Sequence, residues 1–179
     1  MTDTFESEGQ SPEKEKEIVD DNARKFVVGA IDSTFLKNTE ASTFLMTTDW
    51  LEMVKENEKK IVRKKFLSGE VTILLIAKTT KDGKRSSQKQ EIGEEKYKEL
   101  LGASVRQVEK TRHEFDYAQG DIVFDIKYDE FSGSQLRILE VDASSEQARD
   151  SFDPNHFPAE LSEVTGNIQY YGYMVADIV

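Results

Sequence analysis

The chain alternates between short runs in which apolar and polar residues take turns and links rich in glycine, serine and charge. Along a β-strand successive side chains point to opposite faces, so an alternating run buries one face and leaves the other polar. Residues 121–128 show this most cleanly: Ile122, Phe124, Ile126 and Tyr128 make one face, while Asp121, Asp125 and Lys127 lie on the other with Val123. Comparable patterns predict strands over 23–28, 43–50, 61–67, 71–78, 85–92, 104–117 and 135–143. Ser68, Gly69 and Glu70 join two of these as a hairpin, and Lys81-Asp82-Gly83-Lys84 offers a second hairpin turn. Residues 57–60 read as a turn.

Helix is predicted over 93–101, with Glu94 and Glu95 in the first turn and Gly102 in the C′ position. Ser144-Ser145-Glu146-Gln147 matches a capping box opening a short helix, and 167–179 reads as a short apolar terminal helix. These elements predict an α+β fold: an antiparallel β-barrel, or tunnel, of about eight strands with a few flanking helices, since closing a sheet removes its edges. Residues 1–18 are acidic and nearly free of aliphatic side chains, which predicts a disordered tail ahead of a single domain over 19–179.

Composition narrows the chemistry. A length of 179 residues suits one domain with a real core. The net charge of −11 argues against general nucleic-acid affinity, so an anion site must be a local gathering of cations within an acidic envelope. There is no cysteine, and His113 and His156 are the only histidines, so thiolate and histidine-rich metal sites are excluded. Metal chemistry would use carboxylates, which suits Mg²⁺ or Mn²⁺. With neither an apolar run of ~18 residues nor a secretory signal pattern, the expectation is a cytoplasmic protein without membrane contact.

Three predicted strands carry like charges two residues apart: Arg63 with Lys65, Lys110 with Arg112, and Glu140 with Asp142. Each pair shares a face, where like neighbours repel. Glu140 and Asp142 lie with Leu136 and Ile138 while Leu139 and Val141 oppose them, so both faces of that strand are partly apolar. A carboxylate pair there costs several kcal/mol unless cations or a metal accompany it. Two arrangements satisfy this: a half-exposed sheet with cross-strand ion pairs, or a charged face lining a tunnel that gathers a polyanion. The pattern alone leaves both open. His113, opposite the charged face, reads as structural, and Trp50 and the tyrosines at 170–173 as core.

In order along the chain stand Lys110-Thr111-Arg112, Phe124-Asp125-Ile126, Glu140-Val141-Asp142, Glu163-Val164-Thr165 and Tyr170-Tyr171. This succession is similar to that of a CYTH domain, of the triphosphate tunnel metalloenzyme superfamily, with its K-x-R, Asp-bearing and E-x-E strands, an E-V-T motif and a tyrosine-containing helix. Arg63-Lys64-Lys65 resembles the family's R-x-R strand, and Lys78 its strand-ending lysine; the resemblance spans roughly residues 20–176. It departs at the opening E-x-E-x-K, where Asp21, Ala23 and Lys25 stand, and at R-x-E-x-E, where Arg85, Ser87 and Lys89 stand.

The resemblance implies that Lys25, Arg63, Lys65, Lys78, Arg85, Lys110 and Arg112 bind a triphosphate or polyphosphate, with Lys25, Arg63 and Lys110 nearest the chemistry. It also implies that Asp21, Glu140 and Asp142 hold Mg²⁺ or Mn²⁺, with Asp125 near the same face. Two functions follow as expectations: a metal-dependent phosphohydrolase acting on inorganic triphosphate or a nucleoside triphosphate, or a non-catalytic binder of such compounds. Adenylyl cyclase activity, known for some members, is favoured by no residue here.

Overall fold

The structure, a computed structural model, describes residues 23–54, 57–82 and 84–176. The predicted tail and Asp21 lie outside the described residues. β1 (Arg24–Ile31) leads into a one-turn-and-a-half helix α1 (Ser33–Asn38), whose amino end is capped by Asp32 accepting from Thr34 N at 2.8 Å. β2 (Ser42–Val54), β3 (Asn57–Phe66), β4 (Val71–Lys81) and β5 (Lys84–Glu91) follow as a meander, then α2 (Glu94–Leu101). β6 (Arg106–Gln119), β7 (Ile122–Phe131) and β8 (Arg137–Asp142) form a second meander, followed by α3 (Glu146–Asp150), β9 (Ala159–Glu163) and α4 (Gly172–Val175). No helix among the described residues is long and apolar enough to cross a membrane.

All nine strands lie in one antiparallel sheet, in the order β5-β4-β3-β2-β6-β7-β8-β1-β9. The expected antiparallel α+β architecture is present, but β5 and β9 remain edges: hydrogen bonds do not close the sheet. Its curl brings separated strands together, as when Lys64 of β3 comes within electrostatic reach of Lys89 in β5, Arg112 in β6 and Lys127 in β7.

Several boundaries differ from the sequence reading. Residues 57–60 are not a turn; β2 and β3 pair from Val54 opposite Asn57, so the reversal comes earlier. β7 continues past Tyr128 to Phe131, because Glu130 and Phe131 still find partners on β6. α1 and β9 were not marked by periodicity, being short. Gly102 caps α2 with a right-handed φ of −61°, not the left-handed geometry of a C′ glycine. Gly69, at φ 89°, does need its missing side chain, since the β3–β4 turn passes through the left-handed region there. Ser145 caps α3 as its motif predicts, accepting from Ala148 N at 3.1 Å.

The convex face carries two apolar cores. Phe26, Phe124, Ile126, Tyr128, Leu139 and Val141 pack beneath Phe35 and Leu36 of α1 and beneath Phe152 and Phe157, which flank the turn at Pro154–His156. Ile61 and Ile73 pack beneath Tyr97 of α2. On the opposite face, at one end, Trp50, Val108, Phe131 and Ile138 are covered by Val175 and the chain around it. A Cβ on Gly172 would stand 3.2 Å from the Trp50 ring, so this closing segment approaches as closely as a glycine allows.

These cores define a stability test. Leu139→Ala removes a fully buried side chain and should cost about 2–5 kcal/mol by urea denaturation. Leu67→Ala, at a position 87% exposed in the β3–β4 turn, should stay within about 0.5 kcal/mol of the parent.

Candidate functional site

Register assigns each charged residue to a face. Lys110 and Arg112 of β6 stand opposite Phe131 and Asp129 of β7 and opposite Met46 and Phe44 of β2. Following those pairs outward places Lys25, Lys60, Lys64, Lys78, Lys127, Asp125, Asp129, Glu58, Glu140 and Asp142 on the same face. Arg63 and Lys65, expected to share it, lie on the other side. They stand opposite Thr47 and Leu45, and Arg63 Nε lies 3.9 Å from Glu94 of α2 while Lys65 is exposed. The reason is parity: Lys64, between them, takes the concave position.

Asp129 organises the centre. It is 1% exposed, and Lys110 Nζ donates to its Oδ2 at 2.6 Å. Arg112 donates to both oxygens, through Nε at 2.6 Å and Nη2 at 2.7 Å, the two-pronged geometry that a guanidinium offers a carboxylate. Burial opposes ionisation of Asp129, but Lys110 and Arg112 outweigh it and hold the carboxyl below its usual range. Burial works equally against Arg112, yet Asp129 and Glu140 leave its guanidinium more firmly protonated than usual. Lys110 is not so favoured: burial first, then the neighbouring Arg112 charge, bring it down to about 8 despite Asp129. Sequence reading missed Asp129 by ending β7 one residue too soon.

Two further groups flank this centre. Glu140 lies 3.1 Å from Lys25 Nζ and 3.7 Å from Arg112 Nη2; burial disfavours its charge, but Lys25, Arg112 and Lys110 together hold it well below the carboxylate range. On β3, Glu58 is 2.7 Å from Lys60 and 4.0 Å from Lys78 of β4. Lys60 falls where a turn was expected, so its face was not read. Arg85 is opposite Thr80 in the β4–β5 register.

Lys64 differs from the other cations of this face. No ion pair of Lys64 occurs among the described residues, and its ammonium lies 4.7 Å from the centre of the Phe44 ring. It is held below the ordinary lysine range, by burial first; Arg112, Lys89 and Lys127 add to the effect and Glu114 opposes it. Those three cations belong to β6, β5 and β7, so the curl of the sheet surrounds Lys64 with positive charge.

Glu163 and Thr165 serve the frame. Glu163 takes Arg24 through both oxygens at 2.9 and 2.8 Å, and Thr165 accepts from Lys25 N at 3.0 Å, joining the end of β9 to β1.

The residues described do not fit a protein-held Mg²⁺ or Mn²⁺. Among the described residues no three Asp, Glu or His side chains gather to make an all-protein site, whereas Mg²⁺ held jointly with a substrate phosphate needs only one or two carboxylates. Glu140 is already held by cations, Asp142 accepts from Ala143 N at 2.8 Å, and Asp125 lies 3.7 Å from Lys127.

No protein-family model matches this sequence, and no curated protein matches it. Solved structures do share the fold. Two crystal structures of NE1496, one described as a hypothetical protein and the other as an inorganic triphosphatase, superpose with a TM-score of 0.60 at 23% identity, covering 86% of this chain and 95% of theirs. A Pyrococcus furiosus protein superposes less well, with a TM-score of 0.48 at 12% identity over 77% of this chain and 94% of its own, and adds nothing to the comparison. The succession of strands, their register and the NE1496 superposition agree: this chain has a CYTH-like α+β fold.

Proposed function

We propose that the concave face binds a triphosphate or a similar polyanionic phosphate compound, and that this chain is a binder of such compounds rather than a metal-dependent hydrolase. The observation that carries this reading is Lys64, half-buried, with Glu114, Arg112, Lys89 and Lys127 as its charged neighbours and without an ion pair among the described residues. The Lys64 ammonium meets no carboxylate among the described residues, and a multiply charged phosphate compound supplies it with charge-assisted hydrogen bonds. The inorganic triphosphatase description of a structural neighbour supports the same ligand class.

The proposed ligand-holding set is Lys25, Lys60, Lys64, Lys78, Lys110 and Arg112, with Arg85 added from the sequence resemblance. Lys60 and Lys64 replace Arg63 and Lys65, which face away. Glu58, Asp129 and Glu140 hold the cations apart and in place before the ligand arrives, which lowers the ordering cost of binding. The hydrolase reading needs carboxylates free to hold Mg²⁺ or Mn²⁺; Glu140 is committed to Lys25 and Arg112, and Asp21 lies outside the described residues.

Adjacent positions on β3 separate this reading from a surface-charge effect. Lys64→Ala should weaken tripolyphosphate binding about 10- to 100-fold by calorimetry, the worth of one or two charged hydrogen bonds. Lys65→Ala should leave affinity within about twofold. Equal losses from both substitutions would mean that the anion responds to overall charge and not to the concave face.

Affinity should also depend on pH through Lys110. Its folded pKa, about 8, lies below the ordinary lysine value, so its charge is present below pH 7 and is lost as pH rises through 8. A bound anion favours the protonated form, so binding near pH 8.5 should take up protons and weaken relative to pH 7. Lys110→Arg, charged throughout, should flatten that dependence; an identical pH profile in the variant would remove Lys110 from the site.

A further inference from the structure

We infer that the site takes its phosphate compound free of divalent metal, and that the β4–β5 wall donates directly to phosphoryl oxygens through Ser87, Lys89 and Lys78. This rests on the ligand class proposed above. By register Ser87 stands opposite Lys78, and Lys89 opposite Ile76, on the strand face that carries Lys60 and Lys64. Ser87 is 3% exposed and its hydroxyl has no hydrogen-bond partner among the described residues. A buried hydroxyl left unpaired is unfavourable, so this position calls for an acceptor, and a phosphoryl oxygen is one.

The donors of this wall are of the wrong kind for a metal and the right kind for an anion. Ammonium groups offer only protons and repel a cation, and the Ser87 hydroxyl can donate to an anion, whereas Mg²⁺ and Mn²⁺ need oxygen lone pairs, chiefly from carboxylates, phosphates and water. The buried carboxylates of the face are already occupied: Glu58 by Lys60, Asp129 by Lys110 and Arg112, Glu140 by Lys25. A metal arriving on the phosphate would cancel part of the ligand's charge and bring its own charge towards Lys64 and Lys89, which already repel one another. Divalent cations therefore compete with this protein for the phosphate compound.

The test is calorimetry of tripolyphosphate binding to the whole chain, in chelator and then in saturating MgCl₂ or MnCl₂ at matched ionic strength. Binding should be at least tenfold tighter in chelator. Ser87→Ala should weaken the metal-free affinity several-fold, and Lys89→Glu, at an exposed position, should reduce the advantage of the metal-free ligand. Affinity that requires the metal, or that is equal in the two buffers, overturns the inference while leaving phosphate binding standing. Absence of binding in both buffers overturns the proposed ligand class as well.

Discussion

Asp129 is buried between Lys110 and Arg112, and the concave face is organised around that one carboxylate. Two cations on neighbouring positions of a single strand face would repel each other and, once buried, would shed charge or force the strand outward. The carboxylate makes both tolerable, and its two-pronged bond to Arg112 holds the guanidinium in one orientation. It cannot neutralise both. Burial first, and then the adjacent Arg112 charge, make Lys110 hold its proton less tightly than a free lysine.

That logic repeats across the sheet. Glu140 is shared between Lys25 and Arg112, and Glu58 between Lys60 and Lys78. In each case one carboxylate bridges two cations, which fixes the geometry of the face. The convex cores beneath α1 and α2 supply the apolar burial that lets such a face exist. Chain around Val175, packed on Trp50, occupies one end of the concave side with apolar contacts and leaves the charged part adjacent to it.

Much of this was legible beforehand, for physical reasons that differ from element to element. β7 announced itself because Phe124, Ile126 and Tyr128 are all buried on one side while Val123 and Asp125 are exposed on the other. The triplet Arg63-Lys64-Lys65 did not reveal its phase, because Ile61 and Val62 before it are both apolar and both buried. With neither parity marked, only pairing with β2 and β4 could choose, and it chose Lys64. Asp129 was hidden by a different effect: Glu130 after it puts a polar residue on the apolar side of β7, so the alternation that marked the strand broke there and the strand was closed at Tyr128. The α+β antiparallel sheet was readable from hairpin links, whereas its failure to close depends on edge strands β5 and β9, whose separation is a tertiary matter.

The most direct test of the central claim is a crystal structure of the chain soaked with tripolyphosphate in the absence of divalent metal. Phosphate density is expected on the concave face, with oxygens in hydrogen-bonding reach of Lys64, Lys110 and Arg112 and of the Ser87 hydroxyl. Density against Arg63 and Lys65 on the convex side, with the concave face unchanged, would contradict it.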